Sequence, residues 1–496
     1  MSPLDRYFHS EYGAARPYLF AKLFLVLLAL DTWMLMIGHA GRYGATGFNV
    51  AHFAWLDAML PLPTPGFYVG VLLLTGLLAL FVFFTGVRRL PLLLLFAVYT
   101  LSWSMSMLDS YQHHYFVSLI LLCLAFFPQT RAGELHPRPT SGTEGERAGH
   151  VYALIVVALV AVFFVIEKEG RVWRSFFVLC FAVAAASALR RAPRPDAPLL
   201  TRGFGFPLLG ASVAIVYIYT AIAKMDENWV AGHTIVRISS APVVFADFVT
   251  WAEGQGIGPE RFWSLFATFV IPQEILMGVG YLFAVHRDRV GGLFMELLCG
   301  VTAVLAVALH VGAEALGLEI GWFSDYMLAL ACTFLLPLSA VERLASVLTW
   351  PARLAEGFFA EWQRESPADP GARVIVALAS AAVLFGAARL IDLPGAYWAS
   401  GVASVAGFFM ALASRPAQDP RPALLSLSLA AIAMWAAIAM SPVRWEYYRF
   451  TGGDHYRRGE LQAALENYVK GERYAPEGES RRDKIERIRR TLGRGD

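Results

Sequence analysis

Lys224 ends an apolar stretch, Tyr217-Ile-Tyr-Thr-Ala-Ile-Ala-Lys-Met-Asp-Glu-Asn-Trp229, that turns polar within two residues. Burial disfavours the charged form of a lysine, so a lysine at the edge of a dry pocket becomes a free amine and hence a base. His310 closes the apolar run 303–312, and His114 follows Asp109-Ser-Tyr-Gln-His113 at the start of another. Imidazoles placed there can donate hydrogen bonds to developing oxyanions. Each group also has a plainer reading. Lys224 can snorkel to the headgroups with Asp226 or Glu227 as an interfacial partner. His113 and His114 can form an interfacial polar pair, and His310 can be satisfied by a neighbouring helix. Glu274, after Pro272, and Glu296 are costly in lipid, so they should face protein, as structural acceptors in the same network.

The elements that must position these groups are membrane helices. The 496 residues are 57% hydrophobic and 16% charged, outside the range of ordinary soluble domains. A net charge of +2, spread over loops, excludes a nucleic-acid partner. Apolar runs near 20 residues give about thirteen spans, at 20–38, 66–86, 91–108, 114–127, 150–167, 172–189, 206–224, 262–285, 290–312, 323–340, 373–390, 396–413 and 421–440. The segment before the first run lacks a short apolar core with a small-residue cleavage site, so that run is expected to stay as a span. Arg88, Arg89, Arg190, Arg191, Arg194, Arg202, Arg287, Arg289, Arg343, Arg353, Arg415 and Arg421 fall in alternate loops. The positive-inside rule then puts the N-terminus in the cytoplasm, with Lys224, His114, His310 and the C-terminus on the outer face of a bacterial inner membrane. Lys168, Arg171 and Arg174 count against that orientation. Cys123, Cys180, Cys299 and Cys332 lie in apolar runs without metal-ligand spacing and read as buried small hydrophobes; no metal is expected.

Residues 48–60 and the segment Trp229 to Arg261 mix aromatic and polar positions and read as interfacial helices. The glycine-, proline- and glutamate-rich stretch 129–150 reads as a connector. After the last span the composition turns charged, and Gly452, Gly459, Ala464, Tyr468 and Pro476 stand at the spacing of one tetratricopeptide repeat, a helix pair that docks on neighbours. The tail is either such a partner-docking arm or an amphipathic helical segment resting on the membrane part. The class expected is an all-α polytopic membrane protein with a small soluble helical tail. Its expected parts are 1–345, with extra spans in 150–189, then 346–441 with three spans, and the tail 442–496.

Three segments together resemble the vitamin K-dependent γ-carboxylase family and its bacterial relatives, the horizontally transferred transmembrane domain proteins. They are Leu108-Asp-Ser-Tyr-Gln-His-His114-Tyr-Phe, Tyr219-Thr-Ala-Ile-Ala-Lys224-Met-Asp-Glu-Asn-Trp229, and Leu309-His310-Val-Gly-Ala-Glu314 followed by Ile320-Gly-Trp-Phe323. The resemblance implies that Lys224 is the catalytic base, with His310 and His114 at the functional histidine positions. It places Gln112, His113, Asp226, Trp229, Glu314 and Trp322 around a quinone pocket; Asp109, Glu274 and Glu296 are expected in structural polar roles. It further implies a reduced vitamin K-type isoprenoid quinone with O2 and CO2, membrane lipid as surroundings, and quinone epoxidation coupled to carboxylation of glutamyl residues. The likeness covers roughly 20–340. It departs from the family in the spans of 150–189, in Gln112-His113 before His114, and in lacking the β-rich region of the animal enzyme. The competing reading is a non-catalytic membrane scaffold, or a lipid- or quinone-binding protein, whose tail docks a partner; a transporter stands third.

Overall fold

In lipid, every backbone N–H and C=O has to be satisfied within the segment, which an apolar stretch achieves only as a helix. The computed structural model describes residues 2–43, 55, 58–60, 64–105, 112–129, 199–239, 245–318, 322–348, 370–413 and 419–493. In chain order the helices are α1 (Pro3–Phe8), α2 (Ala15–Asp31), a π turn (Thr32–Met36), α3 (Ile37–Tyr43), α4 (Pro65–Thr85), α5 (Arg89–Ser104), α6 (Gln112–Leu124) and α7 (Gly205–Ala223). There follow α8 (Glu227–Val230), α9 (His233–Ile238), α10 (Ala246–Gly254), α11 (Pro259–Ala284), α12 (Arg287–Val290), α13 (Leu293–Ala315), α14 (Phe323–Phe334) and α15 (Leu338–Leu348). The last six are α16 (Pro370–Ile391), α17 (Ala396–Ala413), α18 (Arg421–Met440), α19 (Val443–Arg457), α20 (Leu461–Glu472) and α21 (Arg482–Leu492).

Among the described residues, seven helices are long and apolar enough to cross a membrane: Ala15–Ala40, Pro65–Thr85, Gly205–Ala223, Pro259–Ala284, Leu293–Glu314, Pro370–Ile391 and Arg421–Met440. Each coincides with an expected span. Four more expected spans fall on shorter apolar helices, α5, α6, α14 and α17. The pair in 150–189 lies outside the described residues, as do the connector from 130 onward and most of 48–60. The architecture is that of a mostly helical membrane protein. Besides the helices, the short strand β1 (Glu11–Gly13) pairs antiparallel with β2 (Leu200–Arg202), closed by an exposed Arg202–Glu11 ion pair of 2.6 Å.

The chain forms two compact units, 1–24 with 126–353 and 25–125 with 354–496. This grouping differs from the sequential parts expected at 345 and 441, because residues 25–125 go with the C-terminal half. In the first unit, α7 and α11 run antiparallel in close contact. Gly278 permits it: a Cβ there would stand 2.7 Å from Ile218 Cγ1 and 3.0 Å from the Ala214 carbonyl. The outward face of α7 shows Ile215, Tyr219 and Ile222, all more than half exposed, as lipid contact requires. The segment after Trp229 folds as α8, α9 and α10, packed on α11 around Ile235, Phe245 and Ala267.

Two buried arginines close the other end of this unit. Arg16 makes a two-point pair with Asp288, both bonds 2.6 Å, and donates to the carbonyls of Thr333, Phe334 and Leu336 at the end of α14. Arg287 pairs with Glu296 and donates to the Leu335 carbonyl. Guanidiniums at these carbonyls satisfy orphan acceptors and oppose the negative end of the helix dipole. Asp288 lies beyond the membrane helices. Its burial works against the charge, yet Arg16, the Gly13 N–H and Arg287 together hold its carboxyl below the usual range.

In the second unit the tail is a three-helix body. Ala464 and Tyr468 of α20 pack on Ile485 and Ile488 of α21, and Tyr448 of α19 donates to the Asp392 carbonyl at 2.6 Å. Tyr474 donates to the Asp392 carboxylate at 2.8 Å, and the Arg444 guanidinium lies 4.1 Å from the Tyr474 ring centre. The repeat-like face that a single pair leaves open is thus covered by α21. Cys123, Cys299 and Cys332 are buried, as expected; Cys180 lies outside the described residues.

Candidate functional site

Residues seven apart on a helix lie two turns up the same face. Tyr217 and Lys224 of α7 have that spacing, and so do Glu274 and Tyr281 of α11. Because the two helices are antiparallel, the pairs meet: Lys224 faces Glu274, and Tyr217 faces Tyr281. Lys224 Nζ donates to both oxygens of Glu274, at 2.8 and 3.0 Å. The Tyr217 and Tyr281 rings stack at 5.7 Å, with 15° between their planes. Thr220, between the two levels, donates to the Tyr217 carbonyl at 3.0 Å and lies beside the Glu274 carboxylate.

The position of Lys224 follows from local sequence. It is the C-terminal cap of α7, and the next helix starts at once because Asp226 accepts the N–H of Asn228 at 2.9 Å and of Trp229 at 3.1 Å. This cap turns Trp229 back over α11, where its indole N–H donates to the Ala267 carbonyl at 2.9 Å. The Lys224 ammonium then sits 5.1 Å from the Trp229 ring centre, within cation–π range. Asp226 therefore acts on the site through Trp229, as a helix cap. Lys224 is 20% exposed at its side chain and Glu274 only 6%, so the pair straddles the boundary of the protein interior. The free amine expected from burial alone is replaced by a lysine in two-point contact with a carboxylate, the acceptor being Glu274 and not the nearer Asp226 or Glu227.

His310 of α13 reaches the same helices from the other side. Its Nε2 is 2.8 Å from the Tyr217 hydroxyl, while its buried Nδ1 has no partner among the described residues. Phe323 packs edge-on against the imidazole with ring centres 6.3 Å apart. The Tyr281 hydroxyl is likewise buried and without a partner there. Glu314, on the last turn of α13, accepts from Ser324 at 3.3 Å, and Trp322 is the residue from which α14 starts.

Glu296 does not belong to this network. It pairs with Arg287 on the first turn of α13, fourteen residues before His310. At 1.5 Å per residue that is about 21 Å along the helix. His114 belongs to the second unit, where its Nδ1 is 2.8 Å from the Tyr99 hydroxyl, with the His113 ring 5.2 Å away. One turn on, Ser118 accepts from the Trp103 indole and from Thr100, both at 3.0 Å. Gln112 opens α6, and Asp109 lies outside the described residues.

No family model, curated protein or solved structure matches the chain. The site is therefore read from its own groups. Sequence reasoning had found Lys224, His310 and Glu274 but missed Tyr217, Thr220 and Tyr281. The signal was there in the sevenfold spacing of polar residues along two apolar helices. Such a repeat places charges and hydroxyls on one protein-facing stripe.

Proposed function

We propose that the chain is a membrane enzyme of the vitamin K-dependent γ-carboxylase type, coupling epoxidation of a reduced isoprenoid quinone to carboxylation of glutamyl residues. The observation that carries this reading is the Lys224–Glu274 pair at the edge of an apolar helix bundle. A lone ammonium is poor base material, but a lysine bonded to a carboxylate has a neutral alternative one proton transfer away. When Lys224 passes a proton to Glu274 the pair keeps zero net charge, so no isolated charge is left in the apolar surroundings. The amine so formed is the base, and Trp229 covers its flank. A bound quinol supplies an acidic hydroxyl and the two electrons for reaction with O2.

The interior offers groups that fit such a ligand. In the tautomer where Tyr217 donates to His310 Nε2, the ring carries its proton on Nδ1, a donor that no described residue uses. The Tyr217 and Tyr281 rings beside it stack on each other and are almost fully buried. A quinone oxygen is a fitting acceptor for the Nδ1 donor. The same proposal includes a thirteen-span chain with a cytoplasmic N-terminus, and with the Lys224 end and the tail on the outer face of a bacterial inner membrane.

The test is direct. Purified protein in lipid discs, given a reduced naphthoquinone and O2, is expected to form epoxide. Lys224→Met should lower the rate by about 10²–10⁴-fold, the usual size of general-base catalysis. Absence of epoxide from the well-folded wild type sinks the reading. One observation favours the alternative of a non-catalytic membrane scaffold or a lipid- or quinone-binding protein: Glu274 and Trp229 already satisfy the ammonium, as a purely structural ion pair requires. That alternative predicts a protein that is inert with and without Lys224.

A further inference from the structure

The C-terminal helix α21 carries Ile485, Ile488 and Leu492 at spacings of three and four, and this stripe packs on α20. Its apolar residues are thereby used up. No large apolar side chain from Val443 to Leu492 is exposed, so the tail has nothing to insert into a bilayer in the way an interfacial helix does. What it does present is a groove of about 410 Å³ between α20 and α21, with Val469 and Ile485 in its lining and Arg473, Arg482 and Arg489 around it.

The acidic groups at this groove are already engaged. Glu472 accepts from the Ser480 hydroxyl, from the Arg481 N–H at 3.0 Å and from Arg482 Nε at 3.1 Å; Glu486 pairs with Arg490 at 3.4 Å. Arg473 and Arg489 make no ion pair among the described residues. A half-apolar groove flanked by two uncommitted guanidiniums is complementary to carboxylates carried on a segment that also has apolar side chains. Its volume lies near the lower end for ligand pockets, enough for a few side chains of a short segment.

We infer that the groove between α20 and α21 is a docking site for a short acidic peptide segment of a partner protein. Arg473 and Arg489 receive the acidic side chains, and the partly exposed Val469 contacts the apolar ones. The anchoring of the tail through Tyr448 and Tyr474 to Asp392 holds this receptor surface fixed on its own unit.

The experiment uses the full chain in discs of zwitterionic lipid and a fluorescent peptide alternating glutamate and leucine, read by anisotropy. Saturable binding is expected, weakened about tenfold or more when the peptide glutamates become glutamines. R473E with R489E should cause a similar loss while leaving the unfolding transition in place. Arg457→Glu, at a 73% exposed side chain outside the groove, should bind as the wild type does. Equal binding of the glutamine peptide, or equal loss in both arginine variants, overturns the inference. So does capture of phosphatidylglycerol vesicles by a chain that ignores the peptide.

Discussion

A double-mutant cycle on Lys224 and Glu274 measures whether the ion pair is a coupled unit. Removing one member of a fully buried pair costs about 3–5 kcal/mol, while an exposed pair is worth about 0–1 kcal/mol. Glu274 is near the first limit, and Lys224, 20% exposed, is a step away from it. Lys224→Met, which leaves a carboxylate in the interior, is therefore expected to cost about 3 kcal/mol, and Glu274→Leu, whose stranded ammonium keeps some solvent, about 2 kcal/mol. The double variant replaces the pair by two apolar side chains of similar size and should lie within about 1 kcal/mol of the wild type. With singles of about 3 and 2 kcal/mol and a double within about 1 kcal/mol, the coupling is at least about 4 kcal/mol. Reversible unfolding in mixed micelles, titrated with a denaturing detergent and followed by circular dichroism, supplies all four free energies. Single effects that simply add, within about 0.5 kcal/mol, refute the pairing.

Three further outcomes test the surrounding geometry by the same unfolding measurement. Tyr217→Phe leaves both nitrogens of His310 without a described partner and should cost about 1–3 kcal/mol, whereas Tyr281→Phe removes an unpartnered hydroxyl and should be neutral or stabilising. Gly278→Val drives a branched side chain into Ile218 and the Ala214 carbonyl and should cost about 1–3 kcal/mol or more; unchanged stability refutes the close approach of α7 and α11. Asp288, ordinarily near 3.8, is depressed in the folded state, so its contribution is fully present above about pH 4 and is lost as pH falls through the lower folded value. Acid titration of stability should show that loss in the wild type and show less of it in Asp288→Asn.

The long spans are legible because a window of apolar residues has one stable answer in lipid, a helix. Among the described residues, all seven helices of full spanning length fall where hydropathy places them. Length was harder to read: α14 ends at Phe334, short of the expected limit at 340, where a sum over apolar residues cannot see Arg16 and Arg287 holding the helix end. The sheet of β1 and β2 was invisible for a different reason. Two strands of three residues, nearly two hundred positions apart, carry no periodicity to detect. Lys224 stood out as a charge in an apolar context, but its partner did not, since Asp226 and Glu227 are closer in sequence than Glu274. The helix cap favours the choice: Asp226 is spent on the N–H groups of Asn228 and Trp229, and the lysine turns to Glu274 of α11 instead.

A structural explanation suffices for most polar groups in the first unit. Arg16 and Asp288 close one end, Arg287 and Glu296 pin α12 to α13, and Gln273 ties α11 to the Leu305 carbonyl at 2.9 Å. Each is a donor matched to an acceptor, which is what burial in an apolar bundle demands. His310 Nδ1 and the Tyr281 hydroxyl break that pattern, and both belong to side chains that touch Tyr217. If the cluster served packing alone, leucine and phenylalanine at 310 and 281 would do it at lower cost. Under the proposed function, a ligand completes the hydrogen bonding of these two groups, which flank Tyr217 two turns below the lysine–carboxylate pair. The Tyr281→Phe variant separates the two cases, because a completed site loses stability on that change when ligand is present and a purely structural one does not.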